Sequence, residues 1–252
     1  ALRSIYPNRK AYHRYKPVES IIQELREHLS RQSKERFISF YDDVMMMDKG
    51  WFEEFSHRYA QQINRPTFLT GRWELLTEHT IPLIKKLVCV FLLIGVEVGD
   101  EKLRRGLLKR NQSSQMMLER AALLRRHGIR YGLFTMVGLP TETMESALET
   151  VKLAARLRAN PLPGHHSIFS PFVGTPLYEQ CEQEGLISTR EVGSYFEDTR
   201  LTLPSFSRQA ILAAHRRFPW FRIAYWLAWK LPGFIARRLE AWLDRRWFRG
   251  VG

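Results

Sequence analysis

Residues 129–143 read IRYGLFTMVGLPTET. The first nine are apolar, aromatic or β-branched, with no charge after Arg130, which is the composition of a strand buried on both faces. Gly138, Leu139 and Pro140 interrupt it sharply. Beyond them the period changes. Met144, Ala147, Leu148, Val151, Ala154 and Ala155 recur at helical spacing and predict an amphipathic helix over 142–157. Thr141 or Thr143 can cap that helix. There is no capping box, because neither is followed three residues later by Glu or Gln. Strand, glycine turn and helix make half of a βαβ unit. Folds of this type place their sites at the C-terminal strand ends, where Gly138 lets a ligand approach the backbone.

Outward from that stretch the same alternation repeats. Strands are expected near residues 37, 67, 91, 132 and 168, between helices over 18–32, 51–63, 75–87, 101–127, 142–157 and 177–185. Pro82 should kink the helix at 75–87 or shift its start. Residues 88–96, VCVFLLIGV, form the second fully apolar strand, far too short to span a bilayer, and lead into Glu97. Alternation of this kind implies a parallel sheet with helical crossovers. The chain opens on a helix with no strand before it. The expected fold is therefore α/β, an incomplete (β/α) TIM-like barrel of about five parallel strands over 1–190. A C-terminal helical extension over 191–252 follows it.

The 252 residues carry a formal charge of +13, so nucleic acid, a membrane surface or an acidic substrate must be weighed as partners. Two cysteines far apart, Cys89 and Cys181, make neither a disulfide framework nor a cysteine-only metal site. No signal peptide is visible, and the expected location is cytoplasmic, with a peripheral membrane contact through the tail. The first residue is Ala1 rather than Met, which predicts that the chain starts inside a longer gene product.

Four segments together resemble the core of radical S-adenosylmethionine (SAM) enzymes, in particular the branch that often carries an upstream cobalamin-binding domain. One is a strand ending in Asp42-Asp43. Another is GVEVG at 95–99, where the family has Gly-x-Glu-Ser-Gly. A third is MVGLPTET at 136–143, similar to its x-Gly-Leu-Pro-Gly-Glu-Thr. The last is SPFVGTPLYE at 170–179, similar to its Pro-x-x-Gly-Thr-Pro-Leu-Tyr. The resemblance covers roughly residues 1–190 and implies SAM as cofactor, a 4Fe-4S cluster and, in an upstream domain, cobalamin. It also implies a small-molecule substrate. The family's Cys-x3-Cys-x2-Cys motif is missing. The expectation is a C-terminal fragment cut just after the cluster loop, with the cluster ligands upstream. Val98 replaces the serine that in relatives bonds SAM.

Carried over residue by residue, the resemblance places Asp42 and Asp43 near the SAM amino group and Glu97 facing the SAM pocket. Gly138 and Pro140 would shape the loop beside the adenosine through their backbone, with Ser170 close by. Arg72 and Lys109 could meet the SAM carboxylate or a substrate anion, or be solvated charge. A bland reading of Glu97 is a salt bridge to one of those two cations. His165 and His166 are adjacent on a strand, so they face opposite ways and do not chelate together; no metal ligands are expected. Met45, Met46 and Met47 read as core or lid packing.

The tail changes character. From Arg208 to Arg249, ten Lys or Arg stand against Glu240 and Asp244. Helices are expected over 219–231 and 234–248, with Trp220, Trp226, Trp229, Trp242 and Trp247 beside the arginines. That mixture suits a helix lying in a bilayer interface; packing on the barrel is the competing reading. Nucleic acid is not expected, because the cations are interleaved with large apolar residues. Two function classes remain: a SAM-binding part of a radical SAM catalyst with a lipid-like substrate, and a non-catalytic barrel-derived membrane-associated or scaffold protein.

Overall fold

The computed structural model describes residues 14–32, 34–42, 45–160 and 164–250. In chain order the elements are α1 (Val18–Arg31), β1 (Ile38–Phe40), α2 (Lys49–Gln62), β2 (Thr67–Gly71), α3 (Thr80–Lys86) and β3 (Cys89–Glu97). Then follow α4 (Glu101–Gly106), α5 (Ser114–Arg126), β4 (Tyr131–Val137), α6 (Met144–Leu157) and β5 (His165–Ile168). The last are α7 (Pro176–Gln183), α8 (Arg208–Ala228) and α9 (Gly233–Phe248).

The strands form one five-stranded sheet in the order β1-β2-β3-β4-β5. β1 with β2, β2 with β3 and β4 with β5 pair in parallel. Neighbours in sequence are neighbours in the sheet. A doubly wound sheet reverses its order at a switch point; this one does not, and sequential winding is that of a barrel. The fold is the expected one, an incomplete α/β TIM-like barrel with C-terminal helices.

By its contacts the chain divides into two compact units, Ala1–Ile94 with Ala122–Tyr131, and Gly95–Ala121 with Gly132–Gly252. In the first, Val18 and Ile22 of α1 and Phe52, Phe55 and Tyr59 of α2 are buried, and Trp73 stacks edge-on against Tyr131. Asp48 caps α2 by accepting from the N–H of Trp51 at 2.9 Å. Pro82 moves the helix start, as one of the two expected outcomes. Residues Trp73–Leu75 turn as a separate 3-10 helix and α3 begins at Thr80, which leaves Pro82 in the first turn, where no N–H is needed. Met45 and Met46 are buried, whereas Met47 is exposed.

The second unit holds most of the expected site. Its β4 is sealed on the face of Leu133, Thr135 and Val137 and only half-buried at Phe134 and Met136, so the two-sided burial expected from composition is partial. The helix expected over 101–127 is in fact two helices. Asp100 caps α4 by accepting from Lys102 and Leu103, α4 ends at Gly106, and the chain turns through Lys109 at φ 53° before α5.

The tail differs from expectation in one respect. α8 starts at Arg208 under a Ser207 cap and runs through Pro219 instead of starting there. Trp247 of α9 is fully buried and donates its indole N–H to the carbonyl of Met144 at 2.9 Å. Lys152 of α6 meets Asp244 at 2.9 Å and Glu240 at 3.4 Å. Both tail helices are thus packed on α6.

Candidate functional site

Three loops of the second unit follow the C-terminal ends of β3, β4 and β5; of the expected site residues Gly138, Pro140 and Ser170 lie on them, Glu97 ends β3 itself, and Lys109 lies between α4 and α5. At the end of β3, Ile94, Val96 and Val98 alternate on a fully buried face, which puts Gly95 and Glu97 on the other. Glu97 adopts φ 65°, a backbone conformation that an unbranched acidic residue rarely takes. Its carboxylate meets Arg110 at 3.0 Å. Burial pushes the carboxyl above its ordinary range and Arg110 pulls it partly back. A Cβ on Gly95 would stand 2.5 Å from Glu97 Oε1, so the glycine makes the space in which that carboxylate lies back over its own strand.

The partner is neither of the two cations weighed from sequence. Arg72 pairs with Glu74, in the first unit, and Lys109 is exposed; the adjacent Arg110 takes the carboxylate. Arg110 carried no signal of its own in the sequence. It was one more cation in a basic loop, and only the reversal at Lys109 turns it to Glu97. Val98 is fully buried. Its side chain offers a ligand nothing, and its carbonyl accepts from Arg104 Nη1 at 2.6 Å.

Arg104 is the second residue that sequence reasoning missed. It has no exposed surface, and it also donates through Nε to the carbonyl of Gln112 at 2.9 Å and through Nη2 to Ser114 Oγ at 2.9 Å. It gathers both ends of the loop between β3 and α5. Gly99 fixes the same loop from the other side. Its N–H donates to Thr150 Oγ1 at 2.8 Å, and a Cβ there would sit 2.3 Å from the backbone of Glu149.

After β4 the chain turns at Gly138, φ 89°. Glu142 Oε2 accepts from the N–H groups of Gly138 at 2.6 Å and Leu139 at 2.9 Å, tying the turn from inside. The side chain is fully buried, Oε1 has no partner, and burial raises the carboxyl to about 8. Pro140 is buried in the same turn. Thr141 stands where the resembled family has glycine, and it takes φ 63°, so the backbone keeps the left-handed conformation that glycine would take freely. Thr143, one of the two expected caps, accepts from Ser146 N–H at 3.3 Å. From the tail, Ile211 would touch any Cβ on Gly138 at 3.1 Å, and Ser205 Oγ donates to the carbonyl of Glu142 at 2.9 Å. Glu142 could have been found from sequence, as the one carboxylate directly after a Gly-Leu-Pro turn.

After β5, Phe169 N–H donates to the carbonyl of Val137 at 2.7 Å, which carries the pairing past the named strand and delivers Ser170 next to the β4 turn. Asp42 lies in the first unit, where its carbonyl accepts from Thr70 Oγ1 at 2.7 Å, and Asp43 is outside the described residues. His165 and His166 do face opposite ways. His165 stacks on Phe134, and His166 turns inward to Thr135. Among the described residues no three His, Cys, Asp or Glu are grouped to hold a metal ion.

A family model described as the radical SAM superfamily matches residues 4–154. No curated protein matches the chain. The fold is similar to that of the radical S-adenosylmethionine methyltransferase TsrM from Kitasatospora setae, solved with cobalamin and a 4Fe-4S cluster bound. The identity is 15% and the TM-score 0.58, over 78% of this chain and 40% of that one. It is also similar to coproporphyrinogen III oxidase (HemN) from Escherichia coli, a radical SAM enzyme, at 14% identity and a TM-score of 0.52, over 77% of this chain and 44% of that one. The chain spans less than half the length of either, and at these identities the likeness is one of fold.

Proposed function

The chain belongs to the radical SAM superfamily, and from that membership we propose that it is the SAM-binding part of a radical SAM enzyme acting on a small-molecule, lipid-like substrate. The observation that carries this reading is Glu97. An acidic residue in a left-handed conformation, nearly buried, with a glycine cleared for its carboxylate and one arginine beside it, is a costly arrangement for stability alone. SAM has a sulfonium, an ammonium, a carboxylate and ribose hydroxyls. Glu97 would accept from a hydroxyl or meet a cation, and Arg110 would hold a carboxylate. The β4 turn has given its N–H groups at Gly138 and Leu139 to Glu142, so carbonyl oxygens are what it offers an adenine amino group. SAM supplies a methyl group or, on reductive cleavage, a deoxyadenosyl radical; the protein positions it and shields the reaction.

The cluster does not fit this chain's own residues. Three thiolates are needed and two cysteines exist. Burial raises the Cys89 thiol to about 12, and Cys181 is fully buried, so neither is poised as a ligand. Cobalamin, which TsrM binds, belongs in this proposal to a further domain.

SAM titrated into the protein in an anaerobic calorimeter should bind saturably. Glu97→Ala should weaken it by about 1–3 kcal/mol, the size of a lost charge-assisted bond. Unchanged affinity in the variant makes Glu97 structural, and no binding to the parent chain leaves the scaffold reading instead.

We further propose that the tail rests on an anionic membrane surface. No helix among the described residues is long and apolar enough to cross a membrane. Along α8, Trp220, Ile223 and Leu227 recur on one face and are exposed, as are Phe234, Ile235 and Trp242 on α9, among the arginines. The five tryptophans do not act alike: Trp220 and Trp242 are exposed for an interface, whereas Trp247 is core, Trp229 donates to Glu240 and Trp226 lies under the Lys230 ammonium. Vesicles containing phosphatidylserine should bind the protein at low salt and less at high salt, as each basic residue near the surface contributes about 1 kcal/mol. Trp220→Ala with Trp242→Ala should lower binding with melting unchanged. Equal binding of the double variant would remove the proposal.

A further inference from the structure

Between the C-terminal ends of α6 and α8 lies a pocket of about 250 Å³, lined by Ala155, Arg156, Arg158, Trp226 and Trp229. That is below the roughly 300–1,000 Å³ of sites that take a whole small molecule, and it suits a single charged group.

The cations here are held in place and left without counter-charge. The Arg156 guanidinium lies over the Trp229 ring, 5.3 Å from its centre, and the indole N–H of Trp229 is fixed on Glu240 at 3.0 Å. The Lys230 ammonium lies over the Trp226 ring at 3.4 Å. Both carboxylates of α9 are engaged elsewhere: Lys152 takes Glu240 and Asp244, and Tyr225 donates to Asp244 as well. Among the described residues no carboxylate pairs with Arg156, Arg158 or Lys230.

The two helix ends account for part of this charge. Each carries about half a negative charge, so α6 and α8 together balance about one of the three cations and leave about two. The surroundings say what kind of molecule brings the rest. Leu227, Leu231, Phe234 and Ile235 are exposed along the turn from α8 into α9, next to Trp226 and Trp229 in the chain. Indoles with cations on one side and apolar residues on the other suit headgroup depth in a bilayer. We infer that this pocket binds the phosphate of an anionic lipid, a phosphomonoester such as phosphatidic acid. Arg156 and Arg158 donate to its oxygens, and its acyl chains lie over Leu227, Leu231, Phe234 and Ile235. A phosphomonoester carries about −1.5 to −2 at pH 7, which matches the unbalanced charge. The inference rests on the membrane reading of the tail and adds a headgroup to it.

The test uses the whole chain and two sets of vesicles of equal surface potential, one containing phosphatidic acid and the other phosphatidylserine. The first should bind about ten-fold more tightly, the size of one charge-assisted bond. Arg156→Gln with Arg158→Gln should bring that ratio to one with melting unchanged. Arg237→Gln with Arg238→Gln, the same loss of charge on α9, should weaken both lipids and keep the ratio. Arg156→Lys keeps the charge but not the planar fork; it should lower the ratio and leave phosphatidylserine binding as it was. Soluble glycerol 3-phosphate, read by tryptophan fluorescence, should bind far more weakly than phosphatidic acid vesicles. Equal binding of the two lipids, or an unchanged ratio in the Arg156 and Arg158 double variant, overturns the pocket and leaves the membrane reading standing. Failure to bind either lipid removes both. Glycerol 3-phosphate binding as tightly as the vesicles would give the pocket to a soluble phosphate ester and overturn the lipid.

Discussion

Glu142→Gln should reverse the order of stabilities between acidic and alkaline pH. The Glu142 carboxyl is raised from 4.5 to about 8 by burial. Below 4.5 it is protonated both folded and unfolded and adds no pH dependence. Between the two values the folded state holds a proton that the unfolded state releases, so rising pH favours unfolding. Above 8 it is ionised in both states, and the folded protein bears the full cost of the buried charge. At about 1.4 kcal/mol for each pH unit, the loss across that window is on the order of 4–5 kcal/mol. Glutamine can still accept from Gly138 and Leu139 but buries an amide N–H₂ where Oε1 has no partner, a penalty of about 1–3 kcal/mol. The variant should therefore be the less stable protein near pH 5 and the more stable near pH 9, in urea unfolding. His166 and His215, lowered by burial, slope the other way below their ordinary value, so the difference between the two proteins is the quantity to follow. Parallel stability curves would mean that Glu142 ionises normally.

Arg104→Met should destabilise the second unit by about 3–5 kcal/mol. Methionine reproduces the apolar stem but none of the donors. The carbonyls of Val98 and Gln112 and the hydroxyl of Ser114 lose their bonds to Arg104 beneath a loop that otherwise stays closed. Each buried acceptor left bare costs about 1–3 kcal/mol. Glu101, 3.6 Å from the guanidinium, loses its buried cation as well. Chemical denaturation reads the change directly, and a loss below about 1 kcal/mol would show that water takes over these roles. The same bonds hold Val98 next to Glu97, so this variant also tests whether the loop after β3 keeps its form without that anchor.

The parts of the fold that were legible in the sequence share one property: their signal is local. The nine-residue apolar strand before Glu97, the change of period at Gly138 and the Thr143 cap are each set by neighbouring residues, and the structure has them where expected. The α4–α5 break and the start of α8 were not legible. The first depends on a side chain reaching outside its own segment, Arg104 to Gln112; the second is a local cap, Ser207 accepting from the N–H of Ala210, that the apolar run after Pro219 overshadowed.

By itself, then, the sequence determined the order of strands and helices, the turn at Gly138 and the presence of a carboxylate at the end of β3, because burial period and turn chemistry act over a few residues. Tertiary structure decided which charges meet. Glu97 pairs with Arg110 rather than Arg72 or Lys109, Glu142 turns back onto its own loop, and Trp247 goes to the core while Trp220 stays outside. Charge attraction has no period and every cation of a basic chain is an equal candidate until the backbone fixes distances; only then does the cost of burying an unpaired group select one partner.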